Sequence, residues 1–147
     1  MRFSEFRAGQ VIDCGQHRVT EEEIIAFGRE YDPQPFHIDR VAAAATRWGG
    51  VIASGWQTCG FAMQMVVRTI LPNSNSVGSP GVDSIRWDNP VRAGDELHLQ
   101  VHVIDAHPSS SGKYGVVKWR WEMRNQRDER VLELTATSLF DREGPPR

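Results

Sequence analysis

The sequence predicts an α+β fold in which an antiparallel β-sheet wraps round one long, central apolar helix, and two observations carry that expectation. The first is the run from Trp48 to Ser84, where Arg68 and Asp83 are the only charged residues. In a chain that is 24% charged, an uncharged run of that length reads as buried. The second is strict period-two alternation of apolar and polar residues in three later segments, the mark of strands with one face covered. With 147 residues the chain suits a single domain spanning 1–147, large enough for a real hydrophobic core.

Each element follows in order. Thr20 and Glu23 form a capping-box signature, and Ile24, Ile25 and Phe27 give an apolar face to a short helix ending near Tyr31. Pro33 and Pro35 then impose a stiff turn. Val41 to Thr46 is a good helix former stopped by Trp48-Gly49-Gly50. Ser54 to Leu71 has helix length, with Ser54 placed to cap it and Pro72 beyond its end. Trp56, Cys59, Phe61, Ala62, Met63, Met65, Val66, Val67 and Ile70 lie nearly all round this helix, so it is expected to be wrapped on most of its circumference. Gln57, Gln64 and Arg68 argue against its spanning a membrane. Val82 to Trp87 reads as a short strand ending at Asn89-Pro90. Leu97, Leu99, Val101 and Val103 alternate with polar residues after the turn at Ala93-Gly94-Asp95, and Val117, Trp119, Trp121 and Met123 alternate likewise. So do Leu132, Leu134, Ala136, Ser138 and Phe140, after a turn over Asn125 to Arg130. A long antiparallel sheet curled round a central helix is the hot-dog architecture.

Composition narrows the function classes. A formal net charge of −2, a pI near 6.2 and dispersed basic residues give no nucleic-acid footprint. The first residues, Met-Arg-Phe-Ser-Glu-Phe-Arg, lack the apolar run of a signal peptide, and no segment is apolar enough to cross a bilayer, so a cytoplasmic protein is expected. Cys14 and Cys59 are far apart and read as reduced thiols. His98 and His102 share a strand face without a third ligand at a recognisable spacing, so no metal is expected. No Gly-rich phosphate loop, nucleophile elbow or Cys/His nucleophile signature is present.

The segment from Tyr31 to Asp39, Tyr-Asp-Pro-Gln-Pro-Phe-His-Ile-Asp, sets a carboxylate (Asp32) and an imidazole (His37) on the proline-braced turn. A bend here aims both at one point, where the pair can hold and polarise a water or hydroxyl between them. Turn chemistry alone also accounts for Asp-Pro, with His37 as an ordinary histidine.

Three segments together resemble the MaoC-like dehydratases, the (R)-specific enoyl-CoA hydratase group of hot-dog proteins. They are Tyr31 to Asp39, Gly49-Gly50-Val51-Ile52-Ala53-Ser54-Gly55, and Pro90-Val91-Arg92-Ala93-Gly94-Asp95. The resemblance covers nearly the whole chain. It implies reversible, cofactor-free addition of water to a trans-2-enoyl thioester of CoA or acyl-carrier protein, giving an (R)-3-hydroxyacyl thioester. It also implies a homodimer joined edge to edge and a place in fatty acid metabolism. Asp32 and His37 match the family's catalytic pair, and Gly55 matches the glycine whose N–H receives the thioester carbonyl. At the start of the apolar helix a free N–H and the positive dipole end suit that role, while close packing alone would also ask for a glycine. Gln34 replaces the commoner asparagine and Ser54 replaces a histidine; with Phe36, Trp56 and Cys59 they are the candidate substrate-binding residues. Thr58, Ala62 and Met63 are further candidate pocket walls, and Arg86, Arg92, Lys113 and Arg120 are candidates for CoA phosphates. Two rival functions share the fold: an acyl-CoA thioesterase, and a non-catalytic acyl-thioester-binding subunit.

Overall fold

The alternating segments become neighbouring strands of a five-stranded antiparallel sheet in the computed structural model, which describes residues 1–142. Its strands are β1 (Val11–Arg18), β2 (Ser76–Arg86), β3 (Glu96–Pro108), β4 (Tyr114–Arg124) and β5 (Arg130–Asp141), in the spatial order β1-β3-β4-β5-β2. The helices are α1 (Glu21–Tyr31), α2 (Pro35–Ile38), α3 (Arg40–Ala44) and α4 (Gly55–Thr69). Period-two alternation puts Leu97, Leu99, Val101 and Val103 of β3 on the inner face beside Val117, Trp119, Trp121 and Met123 of β4. Leu132, Leu134, Ala136 and Phe140 of β5 continue that face. Against it pack Phe61, Ala62, Met65 and Val66 of α4, all buried.

Three expectations need correction. First, β1 lies outside the segments read as strand, because Gly15, at φ +79°, breaks its alternation with a bulge between Asp13 and Gln16. Second, β2 begins at Ser76 rather than Val82. Gly78, Pro80 and Gly81 hide it from a propensity reading, but an edge strand tolerates a proline whose missing N–H faces away from the ladder, and β5 holds β2 in register. Third, α4 is not wrapped all round: Trp56, Met63 and Val67 are exposed. A single sheet covers one side of a helix, so the apolar residues on the other side stay open.

The helices before α4 build a corner. The capping box at Thr20 forms as expected, its hydroxyl accepting from the Glu23 N–H at 3.2 Å. Asp39 then caps α3 by accepting from the Val41 and Ala42 N–H groups.

Candidate active site

Asp32 is the C-terminal cap of α1, its N–H bonded to the Gly28 carbonyl at 2.9 Å. Pro33 cannot continue the helix, and Pro35 starts the single turn of α2 at its first position, where no N–H is needed. The chain thereby doubles back, so that α2 lies on α1. Contact is closest at Gly28, where a Cβ would stand 2.9 Å from Ile38 Cγ2 and 3.0 Å from the His37 Cβ and carbonyl oxygen. A side chain at position 28 would push His37 away.

That fold-back brings His37 Nε2 to 3.2 Å from Asp32 Oδ2. On its other side, His37 Nδ1 lies 2.6 Å from the Ile52 carbonyl oxygen. A carbonyl only accepts, so Nδ1 carries a hydrogen and donates it. The ring is thus aimed by the main chain of a segment that bridges Arg92 through Ile52. Nε2, the other ring nitrogen, is the one turned to the Asp32 carboxyl group. The pair touches directly, which leaves no room for a water between the facing atoms.

His37 is 5% exposed, and the Asp32 side chain retains 21%. Burial pushes the Asp32 carboxyl up. The Gln34 amide, which donates to Oδ1 at 2.7 Å, together with the Ser54 hydroxyl and His37, outweighs burial and holds the group below its ordinary value of 3.8. Gln34 therefore serves the carboxylate with its side chain, not the turn backbone alone. Ser54 occupies the cap position of α4, yet its hydroxyl caps nothing: it is buried and has no partner of ordinary hydrogen-bond geometry. It lines the same cavity as Asp32.

This cavity, of about 300 Å³, has Asp32, His37, Ser54, Gly55, Trp56 and Trp87 among its walls. Gly55 opens α4, so its N–H lacks an intrahelical acceptor, as the first N–H groups of any helix do. Close packing also asks for this glycine, because the Trp87 ring stands 2.6 Å from where a Cβ would be. A second cavity of about 440 Å³ lies further along α4, with Met63, Val66, Trp119, Trp121, Leu134 and Phe140 among its apolar walls.

The fold gathers Asp32, Gln34, His37, Ser54, Gly55 and Trp56 round the first cavity, with Thr58. Phe36 does not line it; its ring stands edge-on to the His37 ring at 4.6 Å. Cys59 and Met63 line the second cavity instead, and Ala62 is core. Of the candidate phosphate contacts, Arg92 follows Val91 at the first cavity. Lys113, in the β3–β4 turn, places its ammonium over the Tyr114 ring, and the Arg120 Nε is buried without a partner. His98 pairs with Asp13 at 2.9 Å, and His102 is half-buried rather than solvent-facing. Among the described residues, no three His, Cys, Asp or Glu side chains are grouped to hold a metal ion. Nor is any described helix long and apolar enough to cross a membrane.

Sequence reasoning passed over Gly28, the Ile52 carbonyl and Trp87. Only Gly28 carried a signal, a glycine inside a capped helix where alanine would be about 1 kcal/mol better.

Comparison with known proteins shows the family and the fold. A family model described as MaoC like domain matches residues 5–120. The chain belongs to the MaoC-like dehydratase domain family, and its fold is the hot-dog fold of that family. A crystal structure of a MaoC-like dehydratase from Rhodospirillum rubrum superposes with a TM-score of 0.87 at 37% identity, covering 96% of this chain and 97% of that one. The uncharacterised protein YdeM of Bacillus subtilis is 28% identical over 97% of this chain and 100% of its own. An R-hydratase from Pseudomonas aeruginosa, at 23% identity and a TM-score of 0.79, shares the fold over 96% of this chain and 86% of that chain.

Proposed function

We propose that the protein is an (R)-specific enoyl-CoA hydratase, adding water reversibly to a trans-2-enoyl thioester to give the (R)-3-hydroxyacyl thioester. The observation that carries this reading is the Asp32–His37 contact, oriented by Ile52 and opening on the cavity that contains the first N–H of α4. Asp32, held in its charged form, takes a proton from a water beside the pair as the oxygen attacks C3. His37 Nε2–H gives a proton to C2, and the proton taken up by Asp32 passes to Nε2 across the 3.2 Å contact, so that water is added overall, the pair is restored and no cofactor is consumed. In the dehydration direction the two roles exchange. Negative charge grows on the thioester oxygen as water adds, and the Gly55 N–H at the positive end of α4 receives it; such a donor contributes about 3–4 kcal/mol to the transition state.

The same reading makes the protein a cytoplasmic homodimer. Support comes from β2, an edge strand paired on one side only, with Val77 and Val82 half-exposed along it. Light scattering is expected to give twice the chain mass.

The test is loss of the enoyl-thioester ultraviolet absorbance with crotonyl-CoA and a longer trans-2-enoyl-CoA, without release of free thiol. Asp32→Asn and His37→Ala should each abolish it. Release of thiol from a saturated acyl-CoA would instead establish a thioesterase, and the hydratase reading would be abandoned.

A further inference from the structure

The two cavities share one face of α4 through Gly55 and Cys59, and at Gly55 a half-exposed indole lies on that face. Trp87, just past β2, lines the Asp32/His37 cavity and donates its indole N–H to the Gly55 carbonyl at 3.0 Å. Its ring fills the space over the Gly55 Cα. The same indole reaches Cys59, where it favours the ionised thiol against the upward push of burial. Gly55 and Cys59 are four residues apart, hence neighbours on one helix face. Gly55 lines the polar cavity and Cys59 the apolar one. Trp56 braces the indole edge-on, with ring centroids 5.4 Å apart and planes at 81°.

Resting on the assignment of acyl thioesters to this site, we propose that Trp87 determines its chain-length specificity, closing the reaction cavity to the apolar cavity and so confining the enzyme to short acyl groups. The reaction cavity of about 300 Å³ stands at the lower end of the usual range for small-molecule sites, roughly 300–1,000 Å³, and it must also admit the thioester and the end of its carrier. Little of it remains for an acyl tail. The apolar cavity beyond Trp87 is larger and suited to a hydrocarbon chain, each methylene of which raises affinity roughly fourfold when buried.

Calorimetric titration with butyryl-CoA and octanoyl-CoA tests this, because binding of saturated thioesters needs no hydration step. Wild type is expected to bind butyryl-CoA at least as tightly as octanoyl-CoA. Trp87→Ala should tighten octanoyl-CoA binding by roughly tenfold or more, with butyryl-CoA changed by less than about threefold. Trp87→Phe keeps one aromatic ring over Gly55 while losing the indole N–H, and should stay much closer to the wild-type ratio than Trp87→Ala. Adding Val82→Phe, at a half-exposed wall of the apolar cavity, to Trp87→Ala should take the gain away. The proposal is overturned if Trp87→Ala leaves the octanoyl-to-butyryl ratio unchanged, if Trp87→Phe is as permissive as Trp87→Ala, or if no variant binds either thioester. A protein that binds butyryl-CoA yet hydrates no enoyl thioester would refute the hydratase reading alone, and Trp87 would still be judged by the binding ratio.

Discussion

Polar groups line one of the two cavities along α4 and apolar side chains line the other, although both draw on the same helix. In the first, the carboxylate and the imidazole each have one position, fixed by the Gln34 amide, the Ile52 carbonyl and the close approach of Gly28. In the second, Met63, Leu134 and Phe140 supply volume and little else. Chemistry depends on orientation and is lost by a small displacement, whereas an apolar space depends on how well it is filled. Substitutions in the two regions should therefore fail in different ways.

The largest expected effect is at the acid/base pair. Asp32→Asn and His37→Ala should each lower kcat of the folded protein by about 10²–10⁴ in the absorbance assay, a loss far larger than any change in the folded fraction. Leu134→Ala, in the apolar wall, should do the reverse. It is expected to cost about 2–5 kcal/mol in urea unfolding, with kcat on crotonyl-CoA retained by the folded fraction. Gly28→Ala links the two behaviours: its methyl group meets His37 and Ile38, so kcat should fall roughly ten- to a hundredfold through misplacement of the imidazole. Helix propensity at that position would meanwhile improve.

A smaller effect concerns pH. Because the native Asp32 carboxyl is held below 3.8, its contribution to stability is complete above that value and disappears as pH falls through the lower native one. The stability difference between wild type and Asp32→Asn should thus be flat in neutral and mildly acid buffers and shrink only below 3.8. Smallest of all is the response of the thiols. Burial raises both, Cys14 to about 11, so iodoacetamide at neutral pH should modify Cys14 and Cys59 slowly, and rapidly once guanidinium unfolds the chain.

How legible the molecule was in its sequence follows the same division. Strands β3, β4 and β5 announce themselves because each has one wet and one dry face. β1 and the first half of β2 do not, since a bulge and an edge proline are stabilised by the ladder rather than by local propensity. The Asp32 and His37 pairing was legible because two prolines force a turn between them. Trp87 was not, because its place over Gly55 depends on the sheet returning β2 to the start of α4, a long-range contact that no local pattern records. Burial of α4 was overread, because apolar content tells how much surface a helix would hide but not how much of it the sheet reaches.

The bond from His37 Nδ1 to the Ile52 oxygen reaches beyond this one protein. Every amino acid carries the same carbonyl, so the imidazole is aimed by an atom that mutation cannot delete. Position 52 is free to change its side chain, and the cavity wall at Trp56 and Trp87 is free to change its bulk, while the hydrogen on the ring stays where it is. Descendants of such a chain can shift their appetite among acyl groups without relearning how to move a proton.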